Sequence, residues 1–198
     1  MLYGTMEDIW GRNQERPEMR IKRELTAALL IDIQERLFPH MDQHEELLRK
    51  CTILVNGLKV LGVPMVLTEQ YPKGLGSTIK EISGLMPENP LIEKIAFSCC
   101  DEPAVMENAA IQNHRTIIIC GIEAHVCVLQ TVIDLHEAGY TAVVVEDCIS
   151  SRNPEDKRVA VERMRTEGAV ITSCESILFE LARVAGTEEF KAISRLVK

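Results

Sequence analysis

Aromatic side chains are scarce in this 198-residue chain: they make up 4% of it, with a single Trp. The hydrophobic fraction of 46% is therefore mostly aliphatic. Set against 26% charged residues, it is the balance of a folded globular chain and not of a disordered one. No apolar run approaches the roughly 18 to 20 residues that a membrane span needs. The opening stretch lacks an apolar core and mixes acids with arginines, which argues against a secretory signal or a transit peptide. There is no basic tract, and the formal net charge is −8. Without a cationic surface to neutralise phosphates, nucleic acid and anionic membranes are excluded as main partners. CxxC spacing and Cys/His clusters are absent too. The seven cysteines are odd in number and lie mostly in apolar runs. That pattern fits free thiols in a reducing, cytoplasmic setting better than a disulfide framework or a zinc site. No cofactor and no metal is expected, and the expected partner is a small-molecule substrate.

What is present reads as one domain. Residues 1–24 are polar and unpatterned, an N-terminal extension; residues 25–198 form the domain. Trp10 and Phe190 are apolar residues that could supply a subunit interface. The run Thr26 to Ile31 is continuously apolar and ends at Asp32, as expected of a strand buried on both faces. Helical spacing over 42–61 ends at Gly62. Further strands are expected at 63–68, 91–95, 115–120, 141–146 and 169–172. Helices are expected at 101–113, 124–138, 154–167 (capped by Asn153 with Pro154 following), from Ser173 or Cys174 to Val184, and at 188–197. Residues 70–90 read as a long loop, a feature that tends to carry function. Strands alternating with helices imply an α/β fold, a parallel sheet with helices on both faces.

Ligands of such sheets sit beyond the carboxyl ends of the strands, near the point where strand order reverses. The residues there are Asp32, Lys94 and the segment Gly121–Cys127. Cys127 would lie in the first turns of a helix, where free N–H groups and the helix dipole stabilise a thiolate and an oxyanion. A buried carboxylate such as Asp32 must be paired or face a cleft. A thiol, a carboxylate and an ammonium at one sheet edge make a nucleophile, a proton acceptor and a charge that tunes both. Phe38, Tyr71 and Phe97 follow strands and are candidates for an apolar pocket wall, with Gln34 and Gln70 as amide contacts. His125 reads as a pocket-lining or structural group, and Cys99-Cys100 as two free thiols, since adjacent cysteines bridge only with strain.

The segments ALLIDIQERLFP, LTEQYPKGLG, IEKIAFSC and IIICGIEAHVCVLQT resemble the isochorismatase-like cysteine hydrolase superfamily, and within it the short isochorismatase-domain proteins. The resemblance runs in order over about residues 25 to 185. It implies a doubly wound three-layer sandwich with a six-stranded parallel sheet of order 3-2-1-4-5-6. It implies Asp32, Lys94 and Cys127 as a catalytic triad. It also implies a cis peptide at Ile122–Glu123, with the backbone N–H groups of Glu123 and Cys127 as the oxyanion hole, and a homo-oligomer. The expected activity is hydrolysis of an amide-like C–N bond. Isochorismatase-type vinyl ether hydrolysis, a non-catalytic binding module and a redox sensor are the alternatives. The metal-binding Asp-x-His segment of nicotinamidases is replaced here by Glu69-Gln70-Tyr71-Pro72-Lys73.

Overall fold

The run TAALLI forms β1 (Thr26–Ile31), every residue of it buried, because both faces of this central strand are covered. The computed structural model describes residues 20–198; Trp10 and most of the expected extension lie outside the described residues. The chain continues through α1 (His44–Val60), β2 (Met65–Gln70), the short turns α2 (Pro72–Leu75) and α3 (Lys80–Ser83), and β3 (Leu91–Lys94). Next come α4 (Pro103–Met106), α5 (Ala109–Gln112) and β4 (Thr116–Ile122). The last elements are α6 (Leu129–Glu137), β5 (Thr141–Ser150), α7 (Pro154–Thr166), β6 (Val170–Thr172), α8 (Cys174–Ala182) and α9 (Glu188–Leu196). The six strands pair in parallel, in the order 3-2-1-4-5-6. The order reverses between β1 and β4, where the site was expected.

Two apolar cores flank the sheet. One packs β1, β2 and β4 residues such as Leu30, Leu67 and Ile118 against Leu54 of α1, Leu178 of α8 and Ile193 of α9. The other packs Leu29, Val66 and Ile119 against Val132 of α6 and Met164 of α7. Alternate residues of each buried strand supply the two cores, which is why the strands read as unbroken apolar runs. Among the described residues no helix is long and apolar enough to cross a membrane.

Three elements differ from the sequence expectation in ways that shape the site. β2 starts and ends two residues later than 63–68. Pro64 has no N–H for the ladder and only its carbonyl takes part, accepting from Ala28 N at 2.9 Å. The strand therefore includes Glu69 and Gln70, and Gln70 pairs in register with Lys94. The helix expected over 101–113 is broken. Ser98, Glu102 and Asn108 each cap a new short turn by accepting a backbone N–H two residues on, competing with one continuous helix. The helix expected from 124 opens instead with a wide π-helical turn, Ala124–Val128, and becomes α-helical at Leu129.

Gly121 brings β4 against β1 at the critical point. Its φ is +128°, and a Cβ there would lie 2.0 Å from the Ile31 carbonyl oxygen. Only glycine fits, and the close approach sets the chain from Ile122 onward directly beside Asp32.

Candidate active site

Asp32 leaves β1 with a left-handed backbone, φ 52°, while its N–H still bonds to Thr68 O at 3.2 Å. Its carboxylate is fully buried and both oxygens are held. Thr68 Oγ1 donates to Oδ1 at 2.7 Å and Lys94 Nζ donates to Oδ2 at 2.7 Å. Lys94, the last residue of β3, is itself buried. Its ammonium also donates to Gln70 Oε1 at 2.8 Å, Phe97 O at 3.1 Å and Ala96 O at 3.2 Å. Burial alone would lower the basicity of this ammonium. The negative charge of Asp32, with the nearby Cys99 and Cys127, outweighs it and holds the group above the ordinary lysine value. A buried pair of this kind persists because each charge answers the other and the remaining hydrogen-bonding capacity is filled.

Cys127 sits in the π-helical turn, 6% exposed. The expectation of a thiolate stabilised by a helix N-terminus is not what the surroundings produce. Burial, and then the Asp32 carboxylate, push the thiol well above its ordinary value, with Lys94 opposing. The thiol faces the Asp32–Lys94 pair, with Asp32 disfavouring and Lys94 favouring its ionised form. The Glu123 carbonyl accepts from Val126 N at 3.1 Å and Val128 N at 3.3 Å, and the Ile122–Glu123 peptide is cis.

Asp32, Lys94 and Cys127 are thus brought together, and Gln70 with them. Gln34 is buried but turned to scaffolding: its Nε2 donates to Gly76 O at 2.7 Å and Gln70 O at 3.0 Å, and its Oε1 accepts from Gln70 N at 2.8 Å. Phe38 is a core residue, edge-on to the His44 ring at 5.8 Å. Tyr71 and Phe97 stand at the surface, 51% and 54% exposed, with Ile95 at 71% forming an apolar rim outside Lys94. His125 turns away from the triad: its Nδ1 pairs with Ser151 Oγ at 2.9 Å and its Nε2 faces Asp156 at 4.0 Å. Phe190 packs on Phe179, ring centroids 5.8 Å apart. Among the described residues no group of His, Cys, Asp and Glu is arranged to hold a metal ion.

Sequence reasoning missed three contributors. Thr68 orients Asp32. Cys99 lies 3.9 Å from Thr68 Oγ1, and burial and Asp32 raise its thiol to about 11. Thr131 Oγ1 donates to Cys127 O at 2.7 Å and accepts from Cys99 N at 2.9 Å, tying the Cys127 turn to the loop after β3. The available signal was Thr68-Glu69-Gln70, a polar triplet continuing an apolar strand. All three are buried, as polar groups are where a site needs them.

Residues 26–176 match the family model for the Isochorismatase domain. Isochorismatase family protein 1B of Dictyostelium discoideum is 38% identical over 185 residues, 90% of this chain and 89% of that one. The secreted isochorismatase effector Isc1 of Phytophthora sojae is 40% identical over 178 residues, 87% of this chain and 84% of that one. The structure of MAR1 ribonuclease from Caenorhabditis elegans superposes with a TM-score of 0.85 at 34% identity, covering 90% of this chain and 92% of that one.

Proposed function

Because the chain belongs to the isochorismatase domain family and has its hydrolase fold, we propose that it is a small-molecule hydrolase cleaving an amide-like C–N bond through Cys127. The observation that carries this reading is the buried Asp32–Lys94 pair facing a thiol that is otherwise hard to ionise.

Asp32 takes the thiol proton as the sulfur attacks the carbonyl carbon, and Lys94 offsets the negative charge left at the site. The oxyanion rests on the N–H groups of Glu123 and Cys127. As the tetrahedral intermediate collapses the C–N bond breaks, and Asp32 returns the proton to the departing nitrogen. Water then gives a proton to Asp32 and its oxygen to the thioester carbonyl, releasing the acid and restoring the thiol.

The C. elegans neighbour bears the name of a ribonuclease. Binding RNA calls for cations along its phosphates, and a net charge of −8 supplies no surplus, so a small amide, urea or carbamate is preferred. The free thiols support a reducing, cytoplasmic compartment. The apolar rim of Tyr71, Ile95 and Phe97 beside edge strand β3 supports assembly with further copies of the chain.

A screen of small amides, ureas and carbamates, with an RNA arm, read by mass detection tests the proposal. Wild-type protein is expected to turn over at least one C–N substrate and to carry a trapped acyl group on Cys127, with none for Cys127→Ala. Undiminished turnover by Cys127→Ala, or cleavage of RNA alone, would overturn it.

A further inference from the structure

The Lys94 ammonium has three N–H groups. One points to Asp32 Oδ2 at 2.7 Å and one to Gln70 Oε1 at 2.8 Å, while the carbonyls of Phe97 and Ala96 lie at 3.1 and 3.2 Å and share the third. The ammonium is saturated and buried, so none of its protons is left for a substrate. Two of its neighbours are main-chain carbonyls fixed by the loop. Gln70 is the one neutral side chain in the set, and it is held with unusual thoroughness. Its Nε2 donates to Ile95 O at 2.6 Å, its own N–H donates to Gln34 Oε1 at 2.8 Å, and its carbonyl accepts from Gln34 Nε2 at 3.0 Å. The amide cannot swing, and because its Nε2 is committed to Ile95, its oxygen must face the lysine. Ladder pairing of Gln70 with Lys94 across β2 and β3 sets the two side chains level.

We propose that Gln70 is a positioning residue for the triad: its clamped amide takes the lysine proton that Asp32 and the 96–97 carbonyls leave over, so the cation stays aimed at Asp32 and away from substrate. Lys94 then acts only as a fixed charge, never as a donor to the leaving group, and the acid–base work falls to Asp32 alone. Gln34 serves the same end one step back, by locking the Gln70 backbone.

The inference rests on the Cys127 nucleophile reading, and one experiment separates the two. The protein is treated with iodoacetamide from pH 5 to 9 and the labelling rate at Cys127 is followed by peptide mass spectrometry. The thiolate displaces iodide, forming the S–C bond, while Asp32 takes the thiol proton. The charged or titratable groups facing Cys127 are Asp32 beyond β1, Lys94 at the end of β3 and Cys99 in the turn before α4. With Asp32 taking the proton, the rate at Cys127 rises and then levels off through neutral pH, where an unassisted thiol would go on gaining about tenfold per pH unit. The half-buried Cys100, outside the triad, serves as internal control. Gln70→Met keeps the length but removes the acceptor. Gln70→Glu keeps an acceptor but adds an anion that competes with Asp32 for the lysine. In both, the rising limb at Cys127 is expected to move to higher pH, since a cation no longer held in place supports departure of the thiol proton less. The plateau is expected to fall about tenfold or more, with Cys100 unchanged. A residue with a purely structural role would lower the melting temperature and leave the limb where it was; that result overturns the inference. If wild-type Cys127 shows no plateau, the nucleophile reading itself fails, whatever the variants do.

Discussion

The molecule contains two groups of cysteines, one in each layer, and they differ in what faces them. Cys127, Cys99 and Cys100 lie on the α6 side near the carboxyl ends of the strands, with the Asp32–Lys94 pair beside the first two. Cys51, Cys120, Cys148 and Cys174, from α1, β4, β5 and α8, gather inside the opposite core and are almost entirely buried. Cys120, hydrogen-bonded to Cys51 and cut off from water, is pushed well above the ordinary thiol range. So is Cys148, cut off from water and hydrogen-bonded to Cys174 and Cys51. Cys51 goes the other way: hydrogen bonds with Cys120 and Cys148 lower its thiol to about 5 against the effect of burial, so this sulfur is held by its thiol neighbours inside a sealed core. What separates the groups is the carboxylate–ammonium pair beside one of them, so on the proposed function reactivity is a property of neighbours and not of cysteine.

Changing one cysteine from each layer is the sharpest way to break that comparison. Cys127→Ala should reduce hydrolysis by about 10³-fold or more, as removal of a nucleophile does. Cys120→Ala should leave rates within about twofold and cost about 1–2 kcal/mol through the void it opens, read by denaturant unfolding. Loss of activity in Cys120→Ala with an unchanged fold would erase the distinction.

Lys94→Met comes next. It strands the buried Asp32 carboxylate, and a loss of about 3–5 kcal/mol in unfolding free energy is expected. A double variant with Asp32→Asn should recover part of it, which a simple packing defect would not allow.

Alkaline titration sharpens the contrast within the site. Cys99 has an ordinary thiol value of 9.0 when unfolded and about 11 when folded. Between those limits the native state holds a proton that the unfolded chain has lost, so stability falls as pH rises. The slope is about 1.4 kcal/mol per pH unit for one such group, or roughly 3 kcal/mol in all. Lys94 acts in the same direction at higher pH. Its folded value is raised, so the stability from its pairing is present below about pH 10.4 and is lost only above it. Cys127 and Cys100, also raised, add to the same decline, so Cys99→Ala should make the fall above pH 9 in chemical denaturation shallower without abolishing it; an unchanged decline would contradict the raised value of Cys99.

Thr68→Val is the mildest change. It removes the donor to Asp32 Oδ1 while keeping the volume, at an expected cost of about 1–3 kcal/mol, and the labelling rate at Cys127 should fall with it. A variant as stable as wild type would mean that the hydroxyl does not hold the carboxylate.

Much of this architecture could be read from the chain. The apolar runs ending at Asp32 and the alternation of strands with helices announced a parallel sheet, and the sheet rule pointed to the edge where Asp32, Lys94 and Cys127 meet. Hydrophobicity could not locate the end of β2, because Thr68, Glu69 and Gln70 are polar residues in a buried strand. That left Thr68 unnoticed as the partner of Asp32 and Gln70 placed as a pocket amide with no contact to Lys94. The π-helical turn around Cys127 has no signature in spacing, and without it the thiol was expected to be ionised at a helix end. Gln34 and Phe38, expected as pocket groups, are found holding a loop and filling a core, since an amide or a ring placed after a strand serves those ends as readily as a ligand.

A competition among the cysteines of the native, unaltered protein puts the central claim to its most direct test. Exposed briefly to substoichiometric iodoacetamide at pH 7, Cys127 is predicted to carry the adduct at least about tenfold ahead of the more accessible Cys100, because Asp32 stands ready to take its proton. Adducts accumulating first on Cys100, with Cys127 modified only after denaturation, would contradict the account.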